Sequence, residues 1–116
     1  MNILKQDQYI VDETPWGCLT WYASKALNNS EGLTLGKCVI KVGEANPRHV
    51  HPNCEEILQV LKGRISHTYE NAERVMEVGE TISIPAGIPH NAKNIGDVEA
   101  ELLIVFSSAE RETIGE

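Results

Sequence analysis

Apolar and β-branched residues come in short bursts along this chain. The runs are Cys18–Ala23 (CLTWYA), Leu33–Val42 (LTLGKCVIKV), Ile57–Leu61 (ILQVL), Ile65–Tyr69 (ISHTY), Arg74–Val78 (RVMEV), Thr81–Ile84 (TISI) and Ala100–Phe106 (AELLIVF). Turn formers separate them: Asn28-Asn29-Ser30, Gly32, Gly43, Asn46-Pro47, Pro52-Asn53, Gly63, Asn71, Gly79, Pro85-Ala86-Gly87, Pro89 and Gly96-Asp97. Such turns leave room for strands and not for helices of ordinary length. Only Ala23–Leu27 (ASKAL) and Ser107–Thr113 can hold a turn or two of helix. Short strands punctuated this regularly predict an all-β architecture. The expected form is a closed jelly roll, in which two sheets wrap against each other and few strand edges stay open.

Composition narrows the partners. The chain has 116 residues, the size of a single domain, and no linker-like or repetitive stretch divides it. Hydrophobic residues at 41% and charged residues at 23% describe a chain that folds around a core. Seventeen acidic against ten basic residues give a net charge of -7, with no Lys/Arg cluster, so nucleic acid is not an expected partner. No apolar run approaches the ~18 residues of a membrane span. Met1–Val11 is polar and mixed, and Cys18, Cys38 and Cys54 are odd in number and widely spaced. Together these predict a cytoplasmic protein with reduced thiols.

Gly43–Gly63 (GEANPRHVHPNCEEILQVLKG) carries the chemistry. His49 and His51 are two residues apart, which on a strand puts both imidazoles on one face, about 6.6 Å apart along the chain. Val50 points the other way. Pro52 and Asn53 turn the chain, and Glu56 then opens the next strand and can return a carboxylate to the same place. Imidazole with carboxylate suits a divalent transition metal such as iron, manganese, nickel, copper or zinc. In Gly79–Asn94 (GETISIPAGIPHNAKN), His90 follows a Pro-Ala-Gly turn at the start of another strand.

These residues resemble the cupin superfamily, whose motifs are G-x5-H-x-H-x3-4-E-x6-G and G-x5-P-x-G-x2-H-x3-N. Gly43, His49, His51, Glu56 and Gly63 fit the first; Gly79, Pro85, Gly87, His90 and Asn94 fit the second, with 15 residues between Gly63 and Gly79. The chain is in this respect similar to small single-domain bacterial cupins. The resemblance implies a double-stranded β-helix holding one divalent ion on His49, His51, Glu56 and His90. Glu55 is the other carboxylate the spacing allows, and Glu56 is preferred because six residues then precede Gly63. Four protein ligands leave an octahedral ion two open positions, the mark of a catalytic and not a structural site.

On this resemblance residues 33–106 form the cupin barrel, residues 1–32 an N-terminal strand segment belonging to the barrel or to a dimer contact, and residues 107–116 a tail. His67 shares strand parity with Ile65 and Tyr69 and is a candidate acid/base group or a supporting partner beside the metal pocket. Tyr22 and Tyr69 are candidates for the pocket mouth. Arg111 is a candidate substrate ligand, because Val105–Glu116 resembles the Phe-Ser-x-x-Arg ending of small cupins similar to the pectin-degradation protein, with the arginine one position further on. Cys54, between the metal ligands, is a candidate for oxidation. The implied function is a metal-dependent enzyme acting on a small oxygen-rich metabolite, a sugar or a keto or enol acid, by isomerase, lyase or dioxygenase chemistry. The alternative is a non-catalytic protein binding a sugar or organic acid. A homodimer is implied by the family, with the aromatics of Trp16–Tyr22 expected to be exposed.

Overall fold

The computed structural model describes residues 1–116. After a single 3₁₀ turn (Gln6–Gln8) come eleven strands: β1 (Ile10–Thr14), β2 (Gly17–Ala23), β3 (Thr34–Ile40), β4 (His49–Val50), β5 (Glu56–Lys62), β6 (Ile65–Tyr69), β7 (Ala72–Met76), β8 (Thr81–Ile84), β9 (His90–Asn94), β10 (Ala100–Phe106) and β11 (Ile114–Gly115). They form a six-stranded sheet in the order β1-β2-β3-β10-β5-β8 and a five-stranded sheet in the order β11-β4-β9-β6-β7. Neighbouring strands pair antiparallel throughout, and the two sheets close the expected jelly roll.

Period-two alternation builds the interior. Thr34, Gly36, Cys38 and Ile40 on β3 and Ala100, Leu102, Ile104 and Phe106 on β10 are buried, while the residues between them face outward. The register sets Leu102 beside Cys38 and Ile104 beside Gly36. Gly36 also pairs with Trp21, whose indole covers it; a methyl group at position 36 would come 2.5 Å from Cε3 of that ring. The indole N–H donates to Asp12 Oδ2 at 3.0 Å, so Trp21 is buried without an unmet donor. Gly63 turns the chain between β5 and β6 at φ +85°, a conformation that favours glycine, with the Ala100 backbone close beside it.

The last position of the second motif has a structural role. Buried Asn94 donates to the carbonyls of Ile40 (2.9 Å) and Val98 (2.8 Å) and accepts from the Gly96 amide (2.9 Å), tying β9 to the turn before β10.

Both helical expectations fail, for the same reason. At Ser24–Asn29 the Asn29 side chain accepts from the Ser24 amide and donates to the Tyr22 carbonyl, and Ser24 Oγ accepts from the Leu27 amide, offering the backbone a turn in place of helical bonds. The tail is held extended because Thr34 bonds the Ser108 carbonyl, and Asn53 bonds both the Glu110 carbonyl and the Glu112 amide. It ends as β11, paired with β4. The expectation of exposed aromatics on Trp16–Tyr22 is also corrected: Trp21 is in the core and Trp16 packs against it. No helix is long and apolar enough to cross a membrane.

Candidate metal centre

Three strands, and the residue just after one of them, deliver the metal-ligating side chains to one point inside the barrel. His49 lies on the two-residue strand β4, directly opposite His90 at the start of β9. His51 follows β4, and its carbonyl accepts from the Gly87 amide at 3.0 Å, which ties the Pro-Ala-Gly turn to the site. Glu56 opens β5 between Phe106 on β10 and Ile84 on β8. His51, Glu56 and His90 are buried and His49 is partly so.

The rings are fixed from behind. Nδ1–H of His49 donates to the Pro47 carbonyl (2.7 Å), that of His51 to the Glu112 carbonyl (2.9 Å), and that of His90 to the Ile88 carbonyl (2.8 Å). With Nδ1 carrying the proton, each Nε2 presents a lone pair. These lone pairs converge: Nε2 of His49 and His51 are 3.1 Å apart, and Glu56 Oε1 lies 3.3 Å from His51 Nε2 and 3.0 Å from His90 Nε2. All four donor atoms fall within 4.8 Å of one another. Lone pairs facing one another at such distances repel unless a cation lies among them. Adjacent ligands ~2.1 Å from one ion stand about 3 Å apart, matching the observed contacts. The donor set therefore fits a divalent transition metal, and Glu56, not Glu55, is the carboxylate.

Electrostatics agree with ligation. Burial pushes the His49 imidazole down to about 4, reinforced by His90 and His51, so it is neutral and able to ligate at neutral pH. Burial alone would raise the Glu56 carboxyl, but the adjoining imidazoles of His51 and His90 outweigh it and hold Glu56 at about 2, an anion.

The site opens into a cavity of about 290 Å³. His67, on the inward face of β6, lines it, with its ring stacked on that of His90 at 5.8 Å between centroids and 10° between planes. Its Nδ1 is buried without a hydrogen-bond partner. Burial, with help from His90, lowers its imidazole to about 4, so it too is neutral. Arg111 also lines the cavity, its guanidinium 4.2 Å over the Trp21 ring and 5.2 Å from that of Phe106. One of its nitrogens bonds Thr113 Oγ1. It forms none of the ion pairs in the structure.

Three sequence candidates lie elsewhere. Tyr22 follows inward-facing Trp21, so strand alternation turns it away from the cavity, where it packs edge-on against Tyr9. Tyr69 has the parity of His67 but sits at the last position of β6 and does not line the cavity. Cys54 is 4% exposed, and burial, aided by Glu56, raises its thiol, so it is held protonated and screened from oxidants. Sequence reasoning missed the carbonyls of Pro47, Ile88 and Glu112, and had no means of finding them, since every residue carries a carbonyl. It also missed Trp21 and Phe106 as the aromatic support of Arg111.

Comparison with known proteins agrees with this geometry. The cupin domain family model matches residues 36–106. Germin-like protein 3-8 of Oryza sativa subsp. japonica is 33% identical over 85 residues, covering 69% of this chain and 38% of the relative. Oxalate oxidase 1 of Hordeum vulgare is 32% identical over 88 residues, covering 69% of this chain and 44% of the relative. The chain thus spans less than half the length of these two relatives. Among solved structures, a recombinant oxalate oxidase in complex with glycolate superimposes with a TM-score of 0.79 at 29% identity, over 88% of this chain and 56% of that one. An oxalate decarboxylase of Lactobacillus farciminis in complex with formate reaches 0.85 at 22% identity, over 94% and 34%, a likeness of fold. With its motifs, its barrel and its converging three-histidine, one-glutamate cluster, the chain belongs to the cupin family.

Proposed function

We propose that the protein is a metal-dependent enzyme acting on a small organic acid by isomerase, lyase or dioxygenase chemistry. The observation that carries this reading is Arg111: a guanidinium inside the metal cavity with no carboxylate of the protein to pair with. Desolvation lowers its pKa, yet guanidinium stays a cation at neutral pH, and a half-buried cation with no carboxylate beside it is placed to take an anion. Its planar fork matches a carboxylate, and the Trp21 face and Thr113 hydroxyl hold the fork in place. Relatives named oxalate oxidase, and the glycolate complex of one, support an organic acid over a sugar.

When bound, the divalent ion supplies Lewis-acid stabilisation of negative charge developing on substrate oxygens. The protein's own groups do the rest. Arg111 binds and orients the carboxylate. His67, neutral and lining the same cavity, takes up or returns a proton at an imidazole nitrogen. The apolar walls keep bulk water from the reacting groups, which strengthens each electrostatic contact.

Glycolate is a suitable probe. Loaded with metal, the protein is expected to bind it, and Arg111→Gln is expected to weaken binding at least about tenfold, the loss of a charged hydrogen-bonding partner, with metal content unchanged. Equal binding by the variant would refute the organic-acid reading. Turnover that continues without oxygen would eliminate the dioxygenase branch, and a ligand always recovered unchanged would make this a binding protein. We also propose a cytoplasmic homodimer: all three cysteines are free, and edge strand β1 exposes Ile10 and Val11. A monomeric mass by sedimentation would contradict the dimer.

A further inference from the structure

The cavity extends well beyond the metal ligands. Away from them its accessible apolar wall is formed by half-buried Trp16, from the turn between β1 and β2, and Leu19 on β2, backed by the core side chains Leu58, Ala92, Leu102 and Ile104, while Asn46, Asn91 and Thr113 also line it. Of the apolar side chains only Trp16 offers a hydrogen bond, through its indole N–H. Protein interiors are close-packed, and voids larger than a water molecule are few. An unfilled apolar void also costs stability in proportion to its volume. A cavity of about 290 Å³ that joins an apolar chamber to a metal centre and a free guanidinium is therefore shaped by what enters it.

Resting on the organic-acid reading above, we propose that the substrate carries an apolar group, an aryl ring or a branched alkyl chain, beside its carboxylate. The carboxylate end meets Arg111 and the ligand cluster, and the apolar body lies against Trp16 and Leu19, over the core side chains behind them. Size permits this, because an apolar cavity of about 150 Å³ already takes up benzene. Oxalate would leave most of the cavity unfilled, and a polyhydroxylated acid would set some of its hydroxyls against Trp16 and Leu19, at a desolvation cost.

Glycolate and mandelate share a 2-hydroxy acid head and differ by a phenyl ring. The chain's two tryptophans, Trp16 and Trp21, both line the cavity, so their emission reports its occupation without any turnover. Titrated into the metal-loaded protein, mandelate is expected to bind at least about tenfold more tightly than glycolate, the worth of burying part of a ring. Leu19→Phe and, separately, Leu19→Tyr narrow the cavity at its partly buried wall and are expected to remove most of that advantage while glycolate binding persists. Equal affinities, or a mandelate advantage that both variants leave untouched, would overturn the apolar-substrate inference and leave the organic-acid reading standing. Failure of both acids to bind would overturn the two together.

Discussion

The Nδ1–H of His51 donates to the main-chain carbonyl of Glu112, 2.9 Å away and 61 residues further along the chain. His49 and His90 instead use carbonyls two residues before them, so their orientation is local. Only His51 takes its Nδ1 partner from the tail, and Asn53 helps hold that tail, its side chain bonding the Glu110 carbonyl (2.9 Å) and the Glu112 amide (2.8 Å). The segment that brings Arg111 into the cavity is thus also the one that fixes a metal ligand.

Asn53→Ala should therefore weaken metal binding, although Asn53 touches no ligand atom. Loss of an outer partner of a ligating histidine lowers affinity by roughly 10- to 100-fold. Competition against a chelator reads this directly. Unchanged affinity would show that the tail does not hold His51.

Acid should destabilise the metal-free protein in a definite window. His49 and His67 titrate near 6.5 when unfolded and at about 4 when folded, so between these values the unfolded chain binds more protons and stability falls as pH falls. At ~1.4 kcal/mol per pH unit each histidine can remove up to about 3 kcal/mol. Glu56 acts lower: its folded value of about 2 against 4.5 contributes stability that is present above 4.5 and lost as pH falls towards 2. Urea unfolding in the presence of a chelator at pH 7, 6, 5 and 4 should show the loss, and His67→Gln should remove roughly half of it. A flat profile between 6.5 and 4 would contradict the buried, neutral state of both rings.

Gly36→Ala should destabilise the barrel by about 1–3 kcal/mol, as overpacking does. The added methyl would lie 2.5 Å from Trp21 Cε3 and 2.8 Å from the Thr20 carbonyl. Because Trp21 supports Arg111, displacing the indole should also shift tryptophan emission and weaken glycolate binding. Wild-type stability would mean that the indole moves without strain.

The sequence was a good guide where periodicity is strong and a poor one where it is not. Ile65–Tyr69 and Thr81–Ile84 appear as strands at the expected limits, and β2, β3 and β5 lie within a residue or two of theirs. Within the N-terminal strand segment β1 has no sequence limits, because IVDET is an edge strand with four of its five residues exposed, so no apolar alternation marks it. β11 is only two residues long and exists through its pairing with β4. Likewise the metal ligands were legible because spacing and motif fix them, whereas Tyr22 was not, since alternation alone cannot tell which face of β2 is inside. Arg111 reaches the cavity through an extended tail, a tertiary outcome that the local sequence Ser107–Thr113, read as a turn of helix, did not contain.

Metal content, measured by elemental analysis on the purified protein and on His51→Ala, tests the central claim most directly. One transition-metal ion per chain is expected in the wild type, and a fall to about a tenth or less in the variant, because losing one of four ligands breaks the shell. A wild-type protein that takes up no transition metal, or a variant that takes up as much as the wild type, would contradict the account.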